Sequence, residues 1–108
     1  MLGTLYTDTL TLIDGVMVHE QSIGVGRGIR GADGILGLGP VALTANTLVN
    51  EPDTLIPTIV DNLLEQGAIS QRVISYFFVP FEEAEVNYGS ITFGGIDPDD
   101  HTGPVTYK

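Results

Sequence analysis

The chain has 108 residues and no cysteine, and its 4 Lys and Arg face 14 Asp and Glu for a formal net charge of −10. One domain at most is expected, with room for a modest core. The acidic balance sets nucleic acid and anionic lipid surfaces aside as partners, and the absence of cysteine excludes a disulfide framework and any thiolate metal site.

Met1-Leu2-Gly3-Thr4 opens directly into polar–apolar alternation, so no signal peptide is expected within these residues. No apolar run approaches membrane-spanning length. Tyr6 to Leu12 alternates, with Tyr6, Asp8, Leu10 and Leu12 on one face and Thr7, Thr9 and Thr11 on the other. Threonine suits a pleated surface, so this is a strand. Asp14-Gly15 then marks a hairpin turn, and a return strand runs from Val16 to about Val25. His19 falls in that second strand, where a surface or half-buried place accounts for it without a ligand.

Gly26-Arg27-Gly28-Ile29-Arg30-Gly31 matches a dinucleotide fingerprint by letter. That fingerprint needs a helix to begin there, with its N-terminus facing a pyrophosphate. The next residues are Ala32-Asp33-Gly34-Ile35-Leu36-Gly37-Leu38-Gly39-Pro40, with three glycines and a proline, so nucleotide binding is set aside and a surface loop remains. The stretch 32–40 is itself apolar. A helix would lose about 1 kcal/mol at each glycine relative to alanine. The expectation is a short buried strand, with glycines where another backbone passes close.

Val41 to Pro52 is polar and rich in turn formers, a loop with room for a short helical turn. Pro57 to Gln66 is the one convincing helix. Pro57 suits its first position, Ile56, Ile59, Val60, Leu63 and Leu64 form one apolar stripe, and Gly67 lies just past the end. Arg72 to Val79 is apolar on both faces and is expected in a sheet interior, ending at Pro80. Phe81 to Tyr88 is an acidic connection whose Glu82, Glu83 and Glu85 make a solvated face. Gly89 to Gly95 is a further strand, Ile96 to Gly103 a turn-rich link, and Pro104 the start of a last strand. Asp97, Asp99 and His101 have the odd spacing of a calcium loop, but Thr102 stands at its glycine position and Lys108 at its glutamate position. No metal and no cofactor is expected.

The stretch Asp33-Gly34-Ile35-Leu36-Gly37-Leu38-Gly39 resembles the hydrophobic-hydrophobic-Gly motif of the pepsin-like aspartic peptidases. Other segments resemble the same family in the same order. Leu2 to Leu12 is similar to the strand after the flap hairpin, and Gln21-Ser22-Ile23-Gly24-Val25 to the strand after that. Ile56 to Gly67, with its Asp61-Asn62-Leu63-x-x-Gln66-Gly67 ending, is similar to the lobe helix. Phe93-Gly94-Gly95-Ile96-Asp97 resembles the strand and turn leading to the interlobe sheet. Tyr6-Thr7-Asp8-Thr9 and Leu38-Gly39-Pro40 look most like the fungal polyporopepsin-type branch.

The resemblance implies a mainly β fold with one short α-helix. Residues 1–108 would form part of a peptidase domain, the second half of its N-terminal lobe. It implies a secreted protein acting on a peptide or protein substrate, with the remaining lobe segments needed for completion. Peptide hydrolysis in this family uses two aspartates that share a proton across one water, because two such close carboxylates cannot both ionise. Each sits in an Asp-Thr/Ser-Gly triplet. Here Asp8-Thr9 is followed by Leu10 and Asp53-Thr54 by Leu55, while Asp14-Gly15 and Asp33-Gly34 lack the hydroxyl residue. No catalytic residue is therefore assigned, and the chain alone is expected to be inactive. By resemblance, Ile35 lines the pocket for the side chain next to the scissile bond, with Ile29 and Ala32 bordering it. Gly37 would permit close approach of the catalytic loop, and Asp33 and Gly34 would form a structural turn. The alternative is a small non-catalytic β module that binds a peptide or protein through open sheet edges.

Overall fold

The computed structural model describes residues 3–12, 15–28, 30–80, 89–100 and 102–105. It separates into two compact units, Met1–Ala68 and Ile69–Lys108.

In the first unit, β1 (Gly3–Thr11) and β2 (Met17–Gly26) form an antiparallel hairpin. β2 runs close to its expected bounds, while β1 begins at Gly3 instead of Tyr6. Gly15 has φ 74, and the Leu12 amide donates to the Val16 carbonyl at 2.7 Å, which closes the turn. Asp14 lies outside the described residues. The register runs from Gly3↔Gly26 to Asp8↔Gln21, then shifts by one to Leu10↔Val18. His19 and Glu20 therefore face Thr9 together, a β-bulge. Glu20 takes φ 53, a left-handed conformation that costs a residue with a side chain. The simple alternation of β1 gave no sign of this irregularity in its partner.

The helix α1 spans Ile59–Glu65, shorter at its start than expected. Pro57 is not its first residue, because Thr58 is the N-cap. The Thr58 hydroxyl accepts from the Asp61 amide, while Asp61 Oδ2 accepts from the Thr58 amide at 2.9 Å. This reciprocal pair satisfies two donors that the first turn leaves open and holds Pro57 outside the helix. At the other end Gly67 has φ 75, and the amides of Gly67 and Ala68 donate to Leu64 and Leu63. The glycine past the end was expected, and its left-handed backbone lets the chain reverse.

Helix α1 packs on β2. Among the described residues the buried apolar ones are Val18 on β2 and Ile59, Val60 and Leu63 on α1, three of them members of the expected stripe. Between hairpin and helix, Val41–Thr44 forms a 3-10 turn. The Thr44 hydroxyl donates to the Val41 carbonyl and accepts from the Ile56 amide, which ties the loop to the approach of the helix.

The stretch 32–40 departs from expectation. It is neither strand nor helix, and only Leu38 is half-buried. A Cβ added at Gly34 or Gly37 would meet nothing within 4 Å. The glycines stand where a close backbone was expected, but none lies there among the described residues. An extended segment without a neighbour has no ladder to join, so its backbone stays solvated.

In the second unit, β3 (Ile74–Phe77) pairs antiparallel with β4 (Ser90–Phe93), in register Ile74↔Phe93 and Tyr76↔Ile91. The expected sheet-interior strand is thus four residues long and pairs, among the described residues, with β4 alone. Tyr76 and Phe78 project from the same face with rings parallel at 6.2 Å, both exposed. Gly89 has φ 88, and a Cβ there would run into the Phe77 carbonyl oxygen. A 3-10 turn covers Pro98–Asp100, and Asp97 Oδ1 accepts from the Asp99 amide at 3.0 Å. Pro104 and Val105 are not in a strand, and the rest of the expected last strand lies outside the described residues, as do Phe81 to Tyr88 and His101.

This packing sets two stability outcomes. Leu63→Ala removes a side chain only 1% exposed, and chemical denaturation should show a loss of about 2–5 kcal/mol. Glu20→Gly removes the penalty of a left-handed glutamate, and the same measurement should show a gain of about 0.5–1 kcal/mol.

Candidate functional site

A cleft of about 490 Å³ opens in the first unit. One side is Gln21 to Gly24 on β2, joined by Leu10 of β1. The opposite side is Ile35, Leu36 and Gly37 of the glycine-spaced stretch. Leu43, Thr44 and residues 56–59 close the remaining side. The two segments that carry the sequence motif and its preceding strand therefore face one space. Among the described residues the lining is apolar, with hydroxyls and one carboxamide, and contains no Asp, Glu, His, Lys or Arg. It can accept an apolar side chain by excluding water. It offers no group that titrates in the range needed for general acid–base work.

The residues singled out in the sequence divide unevenly over this geometry. Ile35 lines the cleft, yet is 82% exposed. Gly37 lines it as well. Ala32, Asp33 and Gly34 are exposed and lie outside the lining. Ile29 lies outside the described residues. His19 is exposed on β2, within the bulge. Among the described residues no group of three His, Cys, Asp or Glu could hold a metal ion, and no helix is long and apolar enough to cross a membrane.

Two polar residues matter that the apolar stripe alone did not indicate. The Gln66 carboxamide spans the outer edge of β2. Its Oε1 accepts from the His19 amide at 2.7 Å, and its Nε2 donates to the Met17 carbonyl at 2.9 Å. Asn62 Nδ2 donates to Gln21 Oε1 at 3.0 Å, and Gln21 Nε2 donates in turn to the Ser22 carbonyl at 3.1 Å. Gln21 is 9% exposed, so the interaction with Asn62 meets the hydrogen-bonding need of a buried amide. The signal was present as spacing. Asn62 and Gln66 are four apart, hence on one helix face.

Known proteins resemble this chain over nearly its whole length. The family model "eukaryotic aspartyl protease" matches residues 1–108. Polyporopepsin of Irpex lacteus is 44% identical over 108 residues, covering 97% of this chain and 32% of its own length. Rhizopuspepsin-3 of Rhizopus niveus is 32% identical, over 96% of this chain and 26% of its length. The crystal structure of the aspartic proteinase from Irpex lacteus superposes with a TM-score of 0.81, covering 94% of this chain and 30% of that one. The chain thus spans no more than about a third of these relatives. The mainly β architecture with one short helix is that of a pepsin-like lobe in part, and this chain belongs to the eukaryotic aspartyl protease family.

Proposed function

We propose that these residues form part of an aspartic endopeptidase, supplying scaffold and one wall of its peptide cleft, and that they do not cleave peptides by themselves. The observation that carries this reading is the lining of the cleft, which among the described residues is apolar on both motif-bearing sides and holds no carboxylate. Hydrolysis by this family's chemistry needs two aspartates around one water. The 108 residues contain no Asp-Thr/Ser-Gly triplet to hold either. The dyad then comes from sequence other than these residues. The substrate is a peptide or protein chain. Ile35 borders the side chain next to the scissile bond, with Ala32 and Ile29 near its rim. Secretion belongs to the same reading. Family membership favours it over an independent binding module.

The purified chain is expected to leave an unfolded protein substrate intact across acid pH. Cleavage by the chain alone, abolished by a transition-state analogue, would overturn the proposal. In a chimera, residues 1–108 replace the matching third of polyporopepsin, and acid peptidase activity should be retained. In that chimera Ile35→Ala should lower kcat/KM for peptides with a large apolar residue at the scissile bond by about tenfold, the worth of a few methylenes in an apolar pocket. Unchanged kcat/KM across such peptides would remove Ile35 from the pocket.

A further inference from the structure

We infer that Gln66 and Asn62 are positioning residues, which hold the β2 wall of the cleft in place from the helix side. The inference rests on the cleft being the substrate-facing surface. The wall residues 21–24 come directly after the bulge at His19 and Glu20. A bulge is the point where a strand can bend and change its register. Here the left-handed Glu20 makes that point strained as well. The two carboxamides bracket it. Gln66 holds Met17 before it and His19 at its first residue, and Asn62 holds Gln21 after it. The Gln66 side chain offers one acceptor and one donor to the strand edge, as a neighbouring strand would. Gln21 passes the Asn62 contact on to the Ser22 carbonyl, within the wall itself. Thus the helix sets the wall through directed bonds, where apolar packing of Val18 on its own would tolerate sliding.

Amide hydrogen exchange on the full 108-residue chain tests this without any peptidase activity, so its failure leaves the functional proposal standing. In the wild type the His19 amide should be protected. Gln66→Ala should lower that protection by about tenfold or more, since one exposed charge-free hydrogen bond is lost. The loss should spread through Gln21 to Gly24 while the amides of Leu63 and Leu64 keep theirs. Gln66→Glu gives the distinguishing readout. Below about pH 4 its protonated carboxyl can still accept from His19 and donate to Met17, whereas the carboxylate at pH 7 cannot donate. Protection at His19 should therefore return in acid and fall at neutral pH. The wild type, measured at both pH values, is the control for the charged groups around this edge, Asp8, His19, Glu20, Asp61 and Glu65. An unprotected His19 in the wild type would overturn the inference. So would equal protection in Gln66→Ala, a pH-independent Gln66→Glu, or a loss spread evenly over α1.

Discussion

The contact between α1 and β2 is the constraint on which the first unit depends. Val18 is 0% exposed there, and Ile59, Val60 and Leu63 close over it. No other set of described apolar side chains is buried to this degree. Everything that shapes the cleft is reached from this contact. The strand supplies one wall, the residues ahead of the helix supply another, and the Thr44 hydroxyl anchors the intervening loop to Ile56. A small core of this kind leaves much apolar surface outside it. Ile35, Leu36, Ile23 and Val25 are all exposed. Three of these, Ile35, Leu36 and Ile23, line the cleft.

Local signals were legible where the partner lay nearby. Threonine alternation gave β1, and a glycine marked the turn. The apolar stripe with Gly67 behind it gave α1, and these pair or pack within one unit. The helix start was misplaced by two residues because a proline and a threonine compete for the same boundary. Only the reciprocal bonds to Asp61 show that threonine holds it. The glycine-spaced stretch was legible as motif but not as structure. Its glycines imply a neighbour, and the described residues do not include one. The apolar run around Phe77 has side chains enough for two faces and, among the described residues, one pairing partner.

The candidate site was half legible. Of the motif residues, Ile35 and Gly37 line the cleft, while Asp33 stands exposed at a bend outside it. The polar face of α1 was the blind spot. Hydrophobic periodicity weighs Asn62 and Gln66 only as residues that are not in the core. Their contribution is directional bonding, which a count of apolar positions cannot register.

The junction at Gly89 has a consequence for how this region tolerates change. Its left-handed backbone sits against the Phe77 carbonyl, at the mouth of the β3–β4 pair. Any side chain at this position would have to displace either the Phe77 carbonyl or the Phe77↔Ser90 rung beside it. The residue that hands the chain to β4 therefore has the least latitude in its unit, and selection has reason to keep it bare.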